Sequence, residues 1–506
     1  MKRILIFTLL AVMIFACLAS CTEKDPSQQP KDTKNPGADT SPATVELTVE
    51  ATTEAGDYSA ELPDEKFPGD FNILCEGSFW ATDTQLYLEE ASDDPVDNGV
   101  WRRVVQISDQ FDADIIVWPS ADTTADLKKD VKSNARSYGA VCARMPKIAV
   151  SAANKELMNL YDVEGLDLKK DYWDQSANEQ LSIGGKLFYT VGDIVTVEDM
   201  CTWTMMFNKE LAKSRDFEDL YKVVKEGRWT FDYFYKLLKD DLSFDYDGNQ
   251  AWDYLDKYAF STHRDMAYGF FYGADLSFVT KDENDIPRIN DNQQYAEKAQ
   301  KVLEYALKVM REDNLTLDAH KWTHVTTWST VLTEACFRED RAYFYAEVLS
   351  TIISLRDMDT DFGLLPMPKY DDKQKEYTTF VNPAASLIGV PVYWEGTDSQ
   401  GNENSRRTGV LLEAMAYYGH EYIVPEFIEK AIKGKGTRDV ESIDMLEIIL
   451  KNRKYDLGWI NDWGGIATGY SDLVFNNKND YASMFGARKT KANNALKKFL
   501  SKLDIE

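Results

Sequence analysis

Cysteine and histidine are scarce in this 506-residue chain, at six and four. Cys75, Cys142, Cys201 and Cys336 lie far apart with no C-x-x-C pair, which argues against a structural zinc site. Catalytic signatures are missing as well: there is no G-x-S-x-G, no G-x-x-x-x-G-K-[ST], no H-E-x-x-H and no G-x-G-x-x-G. Positive charge is short, with 57 Lys and Arg against 85 Asp and Glu and a net charge of −28. So acidic a surface repels phosphate backbones, which excludes nucleic acid as a partner. It also does not adhere by itself to anionic lipid.

The apolar run Ile4–Ala16 is too short for a comfortable membrane span of about 20 residues. Lys2 and Arg3 precede it, and Leu18-Ala19-Ser20-Cys21 follows. That order reads as a lipoprotein signal over residues 1–20, with Cys21 as the lipidated residue. Acyl chains at about 0.8 kcal/mol per buried methylene would anchor the chain to the outer face of the cytoplasmic membrane. An ordinary secretory signal with an incidental Cys21 is the competing reading. Residues 21–66 are rich in Thr, Glu, Lys, Asp, Pro and Ser, with Tyr58 as the one aromatic. Such a segment cannot bury enough to fold. It predicts a tether with a reach of roughly 35–40 Å.

Beyond it, 44% apolar and 12% aromatic residues supply cores for two or more domains. Phe71–Cys75, Ile115–Trp118 and Tyr138–Ala143 read as strands, with helical spacing over Val100–Phe111 and Thr123–Ala135 between them. That alternation predicts a parallel sheet with crossover helices, an α/β architecture. Ligand groups then belong in the loops after the strands, beginning at Glu76, Pro119 and Arg144. A second α/β body follows, with strands at Cys201–Phe207, Lys257–Ser261, Arg341–Tyr345, Phe362–Leu365 and Ala384–Val390. Thr230 reads as a helix cap, and 294–310 as an amphipathic helix with Ala296, Ala299, Val302, Leu303, Ala306, Val309 and Met310 on one face. Residues 410–450 read as mainly helical.

Carboxylates are too numerous for any pair of them to signal acid–base catalysis. His320 and His324 are four apart, but without a third ligand they read as a solvated helix face rather than a metal site. No cofactor or metal is expected. Aromatics with polar neighbours carry more information: Trp80 beside Ser78, Tyr172-Trp173-Asp174, Trp203 beside Thr202, and Trp459 and Trp463 flanking Asn461 and Asp462. Flat rings plus directed polar groups suit a sugar cleft. The same rings suit core or inter-domain packing.

Asp171-Tyr172-Trp173-Asp174-Gln175, then Leu181-Ser182-Ile183-Gly184-Gly185-Lys186-Leu187-Phe188-Tyr189, then Met206-Phe207-Asn208-Lys209-Glu210-Leu211 resemble the extracellular solute-binding proteins of ABC transporters, family 1 type. Arg438-Asp439, Glu441-Ser442, Met445-Leu446 and Asp456-Leu457-Gly458 are similar to its long carbohydrate-binding branch. The resemblance spans roughly residues 67–500. It implies a two-lobed periplasmic-binding-protein-like fold that closes about a hinge on a solute, is monomeric and passes its ligand to permease subunits. Lobe one would comprise 67–190 and 336–378, and lobe two 191–335 and 379–506. Implied ligand-binding residues are Glu76, Ser78, Trp80, Arg144 and Asp193, then His263, Arg264, Glu347, Asn382, Trp459 and Trp463. The third-strand loop Ala143-Arg144-Met145-Pro146 departs from the sugar-binding pattern in having neither tryptophan nor acid.

The expectation is therefore a non-enzymatic lipoprotein that captures a carbohydrate, as an oligosaccharide. A lipid-anchored glycoside hydrolase and a sensor or non-sugar binder of the same fold are the alternatives.

Overall fold

The computed structural model describes residues 62–77, 82–312, 314–392, 404–432 and 440–505. The signal, Cys21, nearly all of the tether, Ser78, Trp80 and Arg438-Asp439 lie outside the described residues.

Strand β1 (Gly69–Glu76) buries Phe71, Ile73, Leu74 and Cys75. It pairs in parallel with β2 (Ala113–Ser120), from Gly69 opposite Ala113 to Glu76 opposite Ser120, and with β3 (Ala140–Arg144) on its other side. Crossover helices make the parallel order possible. The helix Pro95–Phe111 starts cleanly because Asp94 accepts from the N–H groups of Val96 and Asp97 and Pro95 stands where no N–H is needed. The helix Thr123–Ser133 is capped by Asp122.

The chain then runs through the helices Met145–Ala153, Gln175–Leu181 and Val197–Met200 into β4 (Trp203–Asn208), which opens the second sheet. There follow β5 (Tyr258–Thr262), the hairpin β6 (Val279–Lys281) and β7 (Pro287–Ile289), the helix Gln293–Arg311, and β8 (Thr316–Asp318). The helix Thr330–Arg338 precedes β9 (Ala342–Val348), and β10 (Phe362–Leu365) completes the order β10-β4-β9-β5-β8. Two short steps, β11 (Thr379–Phe380) and β12 (Ser386–Gly389), carry the chain back. β12 lies antiparallel to β3, so the first sheet reads β12-β3-β1-β2. The helices Asn404–Tyr422 and Val424–Ile432 pack on Pro95–Phe111. Finally β13 (Arg453–Lys454) pairs with β11, and the helices Ile466–Phe475 and Tyr481–Lys502 close against Gln293–Arg311.

The fold is two-lobed α/β, but the crossings fall elsewhere than the resemblance implies. Segment 336–378 carries β9 and β10 of the second sheet, not part of lobe one. Segment 386–432 carries β12 and two helices of the first lobe, not the second. The reason is local degeneracy: a strand apolar on both faces carries the same pattern in either sheet. Local expectations fared better. Thr230 caps Phe231–Leu238 by accepting from the Tyr233 N–H, and of the seven residues expected on one face of Gln293–Arg311 six are buried and Ala296 is half-buried. His320 and His324 share no helix; His320 lies in the short 3₁₀ turn Ala319–Trp322. Cys75, Cys142, Cys201 and Cys336 are free and buried. Among the described residues no helix is long and apolar enough to cross a membrane.

A second seam joins the lobes. The turn Ile183–Lys186 runs through Gly184 and Gly185 at φ 59 and 71, a region glycine enters without steric cost. There the Gly184 N–H donates to the Asp285 carbonyl at 2.9 Å, and the Gly185 N–H to the Asp285 carboxylate at 3.0 Å.

Candidate functional site

Parallel strands deliver their loops to one edge of a sheet. At the first sheet's edge Glu76 accepts from the Arg144 N–H at 3.1 Å and from its guanidinium at 3.0 and 2.7 Å. Lys147 reaches the same carboxylate at 2.9 Å. Burial pushes the carboxyl upward, but the hydrogen bonds from Arg144 and Lys147 outweigh it and hold Glu76 below its ordinary range. Its side chain is 6% exposed, so Glu76 orients Arg144 and Lys147 rather than offering a free carboxylate.

On the second sheet β5 and β9 run parallel and end together at Thr262 and Val348. Just past that edge His263 Nε2 meets the Glu347 carboxylate at 2.9 Å. Burial opposes the imidazolium, yet the Glu347 charge and hydrogen bond prevail and push His263 up to about 9. The Trp203 ring stands 5.2 Å from His263 and stacks on Phe380 at 5.2 Å. Phe380 meets Trp459 at 5.0 Å, and Trp459 stacks on Tyr268 at 4.1 Å. Asn382 donates to Asp265 at 3.4 Å.

The crossing between the sheets holds these two edges together. The Asn382 N–H donates to the Cys201 carbonyl at 2.9 Å, while the Ala385 carbonyl accepts from Met145, next to Arg144, at 3.0 Å. His263, Glu347, Asn382 and Trp459 thus gather on one wall, and Glu76 with Arg144 forms the edge of the other lobe. Asp193 is occupied differently: its carboxylate meets His420 Nδ1 at 2.6 Å. Burial pushes Asp193 up to about 6 although the His420 hydrogen bond pulls the other way. A Cβ on Gly419 would strike the Asp193 carbonyl oxygen, so this helix braces the first crossing closely. Arg264 is a tie to the helix Ile466–Phe475, donating to Ser471 at 2.9 Å and Asp472 at 2.7 Å.

Trp463 requires correction as a binding platform. It is 6% exposed and packs on Phe499 at 5.2 Å, beneath the C-terminal helix; a covered ring offers no face to a ligand. Asp265, Lys147, Tyr268 and Phe380 were not singled out in the sequence. Lys147 alone carried a local signal, three residues after Arg144 in the same loop. For metal, the carboxylates of Asp245, Asp247 and Asp256 converge within 4.8 Å, but the Asp256 oxygens already accept from the N–H groups of Tyr246 and Asp253.

No protein-family model matches the chain, and no curated protein does. Among solved structures, the GacH receptor of Streptomyces glaucescens, described unliganded and with acarbose, superposes with a TM-score of 0.50 at 10% identity, covering 87% of this chain and 100% of that one. A cyclo/maltodextrin-binding protein complexed with maltotetraose gives 0.49 at 13% identity, covering 87% and 98%. The maltose-binding periplasmic protein MalE of Listeria monocytogenes, with maltose, gives 0.49 at 14% identity, covering 86% and 98%. The GacH likeness shows the fold: two α/β lobes arranged as in a periplasmic binding protein.

Proposed function

We propose that this chain captures a carbohydrate, as an oligosaccharide, by closing its lobes on it, and delivers it to ABC permease subunits without changing it chemically. The observation that carries this reading is the second-lobe wall. It combines the half-buried Trp459 ring, held in place by the buried rings of Tyr268, Phe380 and Trp203 behind it, with the polar groups of Asn382, Asp265, His263 and Glu347. The Trp459 ring meets the C–H face of a sugar, and the amide and charged groups meet its hydroxyls. Arg144 supplies a donor from the opposite edge. The GacH receptor, of like fold, is described in complex with acarbose, which accords with this ligand class. Attachment through Cys21 at the outer face of the cytoplasmic membrane belongs to the same proposal.

Closure has a thermodynamic signature, since a ligand touching both lobes only when they close must stabilise that form. With the right sugar at one hundred times Kd, stability should rise by about 2.7 kcal/mol. Small-angle scattering should show a smaller radius of gyration, and chromatography should return the sugar intact. Binding without compaction removes the hinge mechanism; a cleaved product replaces the binder by a hydrolase. Separately, Cys21→Ser should abolish lipidation and release the chain from membranes, and retention after detergent-free washing would disprove the anchor.

A further inference from the structure

The loop joining β8 to the helix Thr330–Arg338, together with the first turn of that helix, carries large apolar side chains that the fold leaves in solvent. Trp328 is 75% exposed, Val331 52% and Val325 42%. A tryptophan buries roughly 150–250 Å² where a core or interface accepts it, so such exposure at a fixed place in the fold calls for a partner.

The place is set by strand direction. β8 pairs in parallel with β5, with Thr262 opposite Asp318, so both strands end at the same edge. His320, two residues beyond β8, accepts the Arg264 N–H at 3.1 Å, and its ring lies 6.0 Å from that of His263. The loop therefore begins at the wall that holds His263 and Glu347. Trp322, in the same turn, is anchored against Tyr254 at 5.4 Å and faces His324 at 5.7 Å. Trp328 follows six residues on, two before the helix Thr330–Arg338.

The chemistry around it is neutral. Thr323, His324, Thr326, Thr327 and Ser329 surround the two tryptophans, and Lys321 is the one fixed charge between His320 and Ser329. An anionic headgroup layer would be met by a cluster of cations, whereas Lys321 is the one cation here, and it would be repelled by a chain of net charge −28. Rings with hydroxyls suit a neutral polyhydroxylated partner with apolar ring faces.

We infer that the loop 319–331 is an outer subsite of the cleft, with Trp328 as the stacking platform for the distal rings of a glycan whose first rings lie against Trp459. This rests on the carbohydrate reading of the cleft and adds to it that the site selects for chain length. Each further ring reaching Trp328 gains a contact that a disaccharide held at the inner wall lacks.

The test is calorimetric titration of the full chain with length series, from two to seven rings, of α-1,4-glucan, β-1,4-glucan and β-1,4-xylan. Affinity for the preferred backbone should rise with length. Trp328→Ala should weaken the longest chains about tenfold, weaken the disaccharide far less, and leave the melting temperature in place. Trp328→Tyr should restore most of the loss. Affinity that is flat with length, or unchanged for long chains in Trp328→Ala, overturns the outer subsite while leaving the inner site standing. Binding of no member of any series overturns the carbohydrate reading, and the subsite with it.

Discussion

Replacing Arg453 by methionine should lower the unfolding free energy by about 3–5 kcal/mol, the range for removing one partner of a buried ion pair. Arg453 donates to Asp174 at 2.7 Å and also to Asp199, and Tyr455 donates to Asp174 at 2.7 Å. The neighbouring Glu198 is buried, and burial raises its carboxyl well above the ordinary range; burial raises Asp199 too. Without the guanidinium, acids stand together in a medium that solvates them poorly. The position magnifies the effect. Asp174 caps the lobe-one helix Gln175–Leu181, Asp199 lies on the first crossing, and Arg453 itself pairs in β13 with β11, which leads into the second. In the variant Glu198 and Asp199 should sit further above their unfolded values, so folding takes up protons and is favoured as pH falls. The deficit should be smaller at pH 5 than at pH 8 in urea unfolding. A deficit below about 1 kcal/mol at pH 8, typical of an exposed ion pair, would show that the network does not hold the hinge.

Glu347→Gln should change the pH dependence of stability with a known sign. In the native pair His263 is pushed up to about 9, above its unfolded value of about 6.5. Its contribution is therefore fully present below about 6.5 and lost as pH rises through about 9. A shift of that size corresponds to about 3 kcal/mol at most. The amide removes the largest of the charges that offset burial, so the His263 pKa should fall from its raised value and its stabilising contribution in acid should shrink. Wild type and variant should differ most near pH 6 and converge near pH 10, with sugar affinity reduced as well because both groups line the wall. Parallel stability curves across that range would disprove the His263–Glu347 coupling.

Local structure was determined by the sequence alone, because neighbours along the chain set it. The period-3.6 face of Gln293–Arg311, the Thr230 cap and the β1–β3 alternation are legible since each depends on residues within a few turns. Glu76 and Arg144 were legible for a related reason: strand direction alone puts their loops at one edge. What tertiary structure decided is pairing at long range. Asp193 and His420 lie 227 positions apart, and Arg453 and Asp174 279 apart; no periodicity links them. Sheet membership of Ala342–Val348 and Ser386–Gly389 was decided there too, because a fully buried strand looks alike from either sheet. The tryptophans divide for the same reason. Trp459 stacks at the cleft wall and Trp463, four residues on, is sealed beneath Phe499, because the helix Tyr481–Lys502 covers one and not the other.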